Sequence, residues 1–266
     1  MKNNNSFLGK YFFDRLGICA MMESVEKRDD VFEIVSIPPI KGRFAAFFDM
    51  DGTLLSARSI FIIGRFLGFE EDLLKILNGK QDDIPSYVRS GQVVKLLKGF
   101  QIGEIEEIFD TIPLTKGVEE VVLWLKNHEF ITAIVTDSYT QLATRLAKRL
   151  GIDFVAGNLL EVDENGIVTG KIYALLGWEN HNKPGCSKHS VCKLNALKTI
   201  AKTYKIPLNR TIAVGDRNPD ACMVEAAGLG IAFEPKGEKL EKAADIVIYE
   251  DMRKMIPHLE QFLLKF

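Results

Sequence analysis

Two carboxylates two residues apart, Asp49 and Asp51, are the first groups in this chain whose type and spacing suit chemistry. They stand in Asp49-Met50-Asp51-Gly52-Thr53, directly after the apolar stretch 43–48 (RFAAFF). A turn that follows a buried strand lets both side chains face one small pocket above the sheet edge. Like charges that close repel, so something positive must sit between them, or one must hold a proton. A divalent cation meets the first condition, and a hard ion preferring oxygen ligands fits magnesium. A bound phosphate dianion adds negative charge and makes the cation more necessary. The alternative is a loop that uses Asp and Gly for turn geometry alone.

Other polar groups follow apolar runs in the same way. Gly215-Asp216-Arg217-Asn218-Pro219-Asp220 comes directly after 211–214. Asp216 and Asp220 can complete the oxygen shell of the same metal, one directly and one through water or hydrogen bonds. Alternatively, Asn218 or Asp216 caps the helix that begins near Pro219. The run 131–135 ends at Thr136-Asp137-Ser138. A hydroxyl and free backbone N–H groups at a helix start make a phosphate cradle there, unless Asp137 or Ser138 is simply a cap. Lys193, in the first turn of a helix predicted over 190–204, is placed to neutralise phosphate and nucleophile together. A lone lysine on a helix is otherwise a solvated one.

The elements that position these groups alternate. Further strand-like runs lie at 230–233 and 245–248, and helical spacing predicts helices over 118–127, 139–150, 219–227 and 251–264. This pattern predicts an α/β fold, an open parallel sheet with helices on both faces. Ligands bind outside the carboxyl ends of such strands, where every acidic motif sits. Residues 57–114 break the alternation and read as a helical insert after the first strand. Residues 157–173 carry two alternating runs around Asp163-Glu164-Asn165-Gly166, and the Asn-Gly pair predicts a hairpin.

Composition narrows the classes. The 266 residues are 47% apolar and 26% charged, enough for a core domain plus a smaller accessory one. A net charge of −2 and a pI near 6.1 leave no electrostatic footprint for nucleic acid or an acidic membrane. No run of about 18 apolar residues offers a transmembrane segment. Cys19, Cys186, Cys192 and Cys222 form no disulfide framework and point to a reducing cytoplasm. Residues 7–22 look like a signal peptide at first, but Asp14 and Arg15 interrupt the run. Leu8, Tyr11, Phe12, Leu16, Cys19 and Met22 predict instead an amphipathic helix that docks, meets a partner or lies on a membrane surface. Met21 and Met22 are alternative starting points.

Taken in order, these elements resemble the motifs of the haloacid dehalogenase-like hydrolase superfamily, and in particular its phosphoserine phosphatase-like branch, over residues 44–255. Asp49-Met50-Asp51-Gly52-Thr53 is similar to the first motif, Thr136 to the second, Lys193 to the third, and Gly215-Asp216 with Asp220 to the fourth. Residues 57–114 resemble the branch's cap. Asn158, the 159–173 hairpin and Ala226-Ala227-Gly228-Leu229-Gly230-Ile231-Ala232 resemble further features of it. The resemblance implies a Rossmann-like core from 44–56 and 115–266, a small helical cap domain at 57–114 and an N-terminal extension at 1–43.

It also implies a Mg2+-dependent phosphatase acting on a small phosphorylated metabolite. Asp49 would attack phosphorus and form an aspartyl-phosphate, while Asp51 would protonate the leaving oxygen and then activate water. Mg2+ would be held by Asp49, Asp216 and the backbone carbonyl of Asp51. Thr136 and Lys193, with Gly52 and Asp137 beside them, would hold the phosphoryl group, and Asp220 would orient Lys193 or a metal-bound water. An acid at Asp51 fits phosphatases and phosphomutases and not dehalogenases. The alternatives are a phosphotransferase or phosphomutase using the same aspartate, and a non-catalytic regulatory protein on the same fold. The second is disfavoured because no catalytic position is lost. Assembly as a homo-oligomer stays open.

The resemblance is weakest where substrate is chosen. In phosphoserine phosphatases a cap glutamate meets the amino group of serine and a cap arginine its carboxylate. Those positions fall at or near Arg58 and around Val94–Lys95, with Arg89 close by. Arg58 has the wrong sign for an ammonium group. Facing the pocket, it suits an extra anionic or hydroxyl-rich leaving group; otherwise it turns to solvent. Phosphoserine is therefore not favoured. Pro219 stands where the family often has asparagine. His181, Cys186, His189 and Cys192 resemble a zinc set by type, but their spacing matches no common motif and a polar loop is preferred. Cys19 and Cys222 are expected to pack as small apolar residues.

Overall fold

The computed structural model describes residues 42–78, 86–174 and 189–266, together with a short strand β1, Glu33–Ile34. The other strands are β2 (Phe44–Phe48), β3 (Phe130–Tyr139), β4 (Phe154–Val162), β5 (Val168–Ala174), β6 (Thr211–Gly215), β7 (Leu229–Phe233) and β8 (Ile246–Ile248). The helices are α1 (Ser59–Phe66), α2 (Glu70–Asn78), α3 (Ser86–Val93), α4 (Ile102–Asp110), α5 (Val118–Asn127), α6 (Thr140–Leu150), α7 (Lys193–Thr203), α8 (Ala221–Ala226), α9 (Glu238–Ala243) and α10 (Ile256–Leu263).

One sheet runs in the order β1-β4-β3-β2-β6-β7-β8, and β5 also pairs with β4. From β4 to β8 the neighbours are parallel, while β1 and β5 are antiparallel to β4. The chain steps outward from β2 through β3 to β4, then restarts on the other side at β6. The strand order reverses beside β2, and open sheets of this kind bind ligands at that crevice.

Alternation along β2 shows how the sheet is covered. Phe44, Ala46 and Phe48 enter one apolar cluster with residues of α5, α6 and α10, including Val121, Leu146 and Phe262. Ala45 and Phe47 enter the other, with Leu197, Val224 and Leu240 from α7, α8 and α9. Successive side chains of a strand point to opposite faces, so an all-apolar strand must be covered on both. Helices α1, α2 and α4 contribute Ile63, Leu73, Ile105 and Phe109 to the first cluster.

The hairpin ties the helical segment to the sheet. β4 and β5 are joined across Asp163–Ile167, with Gly166 at φ 80° and its N–H donating to the Asp163 carbonyl at 3.1 Å. The loop spans Glu164–Gly166, a turn closed by a left-handed glycine. Gly166 and Val168 carbonyls then accept from Ile102 (2.8 Å) and Gly99 (2.9 Å), at the approach to α4.

Several expectations shift. β3 runs through Tyr139, so α6 begins at Thr140, and its N-cap is Tyr139 with no side-chain cap from Asp137 or Ser138. The helix expected at 190–204 starts at Lys193, because the backbone at Cys192 is extended (φ −82°, ψ 96°) and makes it the N-cap. The one expected at 251–264 divides into a 3-10 turn, Met252–Met255, and α10, where Pro257 fits the helix start but not its interior. That expected at 219–227 divides likewise, into a 3-10 turn, Asn218–Asp220, and α8. Strand β1 and helix α9 were not expected. The predicted 7–22 helix, Cys19, His181 and Cys186 lie outside the described residues. Among the described residues no helix is long and apolar enough to cross a membrane.

Candidate active site

β2 and β6, the strands flanking the reversal, are followed directly by Asp49 and Asp216. Asp49 N–H donates to the Val214 carbonyl at 2.9 Å, which locks the turn after β2 against the end of β6. Asp49, Asp216 and Asp220 are all buried and each presents an oxygen within 4.8 Å of the others. Lys193, also buried, donates from Nζ to Asp49 Oδ1 and to Asp220 Oδ1, the latter at 2.5 Å. The other oxygen of Asp220 accepts the N–H groups of Asp216 (3.1 Å) and Arg217 (3.0 Å). The residue that closes this turn is therefore Asp220, and not Asp216 or Asn218.

Electrostatics in this cluster are unbalanced. Burial pushes Asp49 well above the usual carboxylate range; Lys193 pulls it down, while Asp220 and Asp216 raise it further. Burial would lower Lys193, but Asp220, Asp49 and Asp137 outweigh it and hold the ammonium well above its ordinary value. Burial also raises Asp216 against the pull of Lys236, whose Nζ is 3.0 Å from Oδ2. Asp216 Oδ1 is buried with no hydrogen-bond partner. An orphaned carboxylate oxygen among converging acids fits a hard divalent cation.

Asp51 lies apart from that trio. Its Oδ1 accepts the Ser59 N–H at 2.9 Å and its Oδ2 accepts from Ser59 Oγ at 3.0 Å. The donor N–H is one that α1, at its first residue, leaves without an intrahelical partner. Burial raises Asp51 more than these bonds lower it. Thr136 is buried at the end of β3, and its Oγ1 accepts the Ser138 N–H at 3.0 Å, so one amide of the expected cradle is already engaged. Asp137, raised by burial, adjoins Lys193. Arg58 immediately precedes α1, half-buried, its guanidinium 4.9 Å over the Phe61 ring. Burial and the charge of Arg217 lower its pKa against the pull of Asp51, Asp216 and Asp49. Val94 is buried in the apolar cluster and Lys95 is exposed.

Gly52 explains the glycine of the first motif. It sits at φ +91°, and an added Cβ would fall 2.4 Å from Asp216 Oδ2. Gly52→Ala is expected to displace Asp216 and lower kcat by about 10²-fold or more. Steady-state kinetics beside a thermal melt check this, and wild-type turnover would show that the close approach is dispensable.

Sequence reasoning missed Ser59, Lys236 and Arg217, which hold Asp51 and Asp216. Ser59 was within reach as a hydroxyl at a helix start. Lys236 lies 20 residues from Asp216, and no local spacing marks it.

The sequence model described as haloacid dehalogenase-like hydrolase matches residues 46–225. The chain belongs to the haloacid dehalogenase-like hydrolases. Within that family it falls in the phosphoserine phosphatase-like branch. It is 31% identical to the phosphoserine phosphatase of Methanocaldococcus jannaschii over 214 residues, which is 80% of this chain and 96% of that protein. It is 31% identical to that of Saccharomyces cerevisiae over 224 residues, 83% of this chain and 69% of the yeast protein. A solved phosphoserine phosphatase in a phospho-aspartyl intermediate analogue form shares 32% identity and a TM-score of 0.69, covering 82% of this chain and 99% of its own. A substrate-bound phosphoserine phosphatase gives a TM-score of 0.69 at 31% identity, with the same coverage. This haloacid dehalogenase-like hydrolase is thus a phosphatase that acts through the aspartate of the family.

Proposed function

We propose that the chain is a Mg2+-dependent phosphomonoesterase in which Asp49 is the nucleophile and Asp51 the acid/base. The observation that carries this reading is the buried Lys193 bridging Asp49 and Asp220 beside Asp216, at the reversal of the sheet. An Asp49 oxygen attacks phosphorus as the ester P–O bond breaks, and Asp51, held by Ser59, gives its proton to the leaving oxygen. Asp51 then takes a proton from water, whose oxygen displaces Asp49 from phosphorus and releases inorganic phosphate. Lys193 and Thr136 hold the phosphoryl oxygens, with Gly52 and Asp137 at its edge. Asp49, Asp216 and the Asp51 carbonyl would hold the cation, and Asp220 would keep Lys193 in place. When bound, the cation keeps Asp49 ionised and offsets the charge of the phosphoryl oxygens. Residues 57–114 act as the cap over the site. The cytoplasm is the proposed location, in keeping with Cys222 as a free thiol.

For the substrate, Arg58 weighs against simple transfer of the relatives' phosphoserine. Among the described residues its guanidinium has no hydrogen bond or ion pair, and its contact is with the face of Phe61. A half-buried guanidinium suits a small phosphate ester whose leaving alcohol carries a second anion or several hydroxyls. The test is phosphate release from phosphoserine, sugar and polyol phosphates, phosphorylated hydroxy acids and p-nitrophenyl phosphate, with Mg2+ and with EDTA. Arg58→Ala is expected to raise KM about 10- to 100-fold for an anionic leaving group and far less for p-nitrophenyl phosphate. Phosphoserine well ahead of all others, with Arg58→Ala unaffected, would reject the assignment of Arg58. Equal turnover in EDTA would reject the metal.

A further inference from the structure

The loop that delivers Lys193 is fixed by contacts from outside its own helix. Ser190 is fully buried, three positions before Lys193. Its N–H donates to Ser86 Oγ at 3.1 Å, and its hydroxyl oxygen accepts from Ser90 Oγ at 3.2 Å and Asn158 Nδ2 at 3.3 Å. Asn158 Nδ2 also donates to the Asp137 carbonyl at 2.7 Å. Ser86 and Ser90 are four positions apart on α3, and therefore on one face of it. Asn158 belongs to β4, and Asp137 to the end of β3.

Ser190 is thus where α3, the last residues of β3, the neighbouring β4 and the start of α7 meet. Helix capping does not account for these bonds, because the N-cap of α7 is Cys192 and no side chain caps it. The polar groups converge instead on the loop that sets where α7 begins. Lys193 is the first residue of that helix, and its ammonium must reach Asp49 and Asp220 at once.

We propose that Ser190 is a positioning residue, through which α3 sets the place of Lys193 between Asp49 and Asp220. This rests on Lys193 as the cation of the phosphatase site and goes further by making α3 part of its support. A shift of about 1 Å in such a group can cost about 10²-fold in rate. Replacing Ser190 with alanine leaves the Ser90 hydroxyl without this acceptor and the Asn158 amide with the Asp137 carbonyl alone, and loosens the loop by part of that distance.

The experiment compares wild type with Ser190→Ala and Ser90→Ala by p-nitrophenyl phosphate kinetics in Mg2+, and by the rate at which an amine-acylating reagent modifies Lys193, read by mass spectrometry. Ser190→Ala is expected to lower kcat about tenfold with KM within about twofold, the split of a group acting on the transition state. Lys193 should acylate faster, while the exposed Lys75 and Lys242 react as in wild type. Ser90→Ala should move both readouts the same way by a smaller amount. Unchanged kcat with unchanged Lys193 reactivity in Ser190→Ala would overturn the proposal. Should that variant fail to fold, unchanged Lys193 reactivity in Ser90→Ala would do the same. Wild type without any phosphatase activity would refute the functional reading, and the acylation rates would still judge the clamp.

Discussion

Asp49→Asn is expected to lower phosphate release by about 10⁴-fold or more while leaving the fold intact. The side chain keeps its shape and can still accept a hydrogen bond from Lys193, but an amide is no nucleophile toward phosphorus. The same change has a second, independent signature in stability. Burial holds the Asp49 carboxyl well above its usual range, against the pull of Lys193. As pH rises, the unfolded chain therefore loses this proton first, and between the two pKa values the folded state binds more protons. Stability then falls with rising pH, and the destabilisation is complete above the raised pKa. The amide of the variant has no such proton to lose. In EDTA, Asp49→Asn should melt above wild type at high pH, with the gap closing as pH falls toward about 4. Phosphate assays and a pH series of thermal melts check both parts. Turnover near wild type would remove Asp49 from the chemistry; a variant less stable at every pH would mean that its bond to Lys193 outweighs its burial.

How much of this could be read from residues alone differs between the two halves of the site. The carboxylates follow short, buried and largely apolar strands, and those strands announce a buried parallel sheet. Asp49, Asp51, Thr136, Asp216 and Asp220 were read that way, whereas Lys193, on a helix, was read from the family resemblance. Their supporting partners were not legible. Lys236 reaches Asp216 and Ser190 reaches Ser86 by tertiary closure across long stretches of chain, and nothing in the local pattern of either residue signals it. α9 escaped for a different reason. Its sequence, Glu238 to Ala243, buries a single leucine, Leu240, so it has no apolar period to detect. The start of α7 was misplaced because helical periodicity extends through Ser190–Cys192, where tertiary hydrogen bonds override it. The hairpin was legible because its turn chemistry is local: Gly166 takes the left-handed position and Asp163 accepts the N–H groups of Asn165 and Ile167 at 2.9 and 2.8 Å.

Lys193→Met is expected to lower turnover by about 10³-fold and to make folding stability dependent on divalent metal. Methionine roughly conserves the length of the side chain, so the change removes charge more than volume. Without the ammonium, the carboxylates of Asp49, Asp216 and Asp220 face one another in a buried pocket, with Lys236 and Arg217 reaching only Asp216. Removing one partner of a buried ion pair costs about 3–5 kcal/mol, because the remaining charges lose their compensation. Two responses are open to the folded state, uptake of a proton or binding of a cation. Low pH or Mg2+ should therefore each recover part of the melting temperature lost by Lys193→Met in EDTA, whereas in wild type both effects should be smaller. Activity should not return with stability, since a cation among the carboxylates does not replace a donor aimed at the phosphoryl oxygens. Melts and kinetics on one preparation separate the two roles. A variant as stable as wild type in EDTA would show that Lys193 is not what balances the acids. One that regains turnover in Mg2+ would show that the lysine serves the fold and not the phosphoryl group.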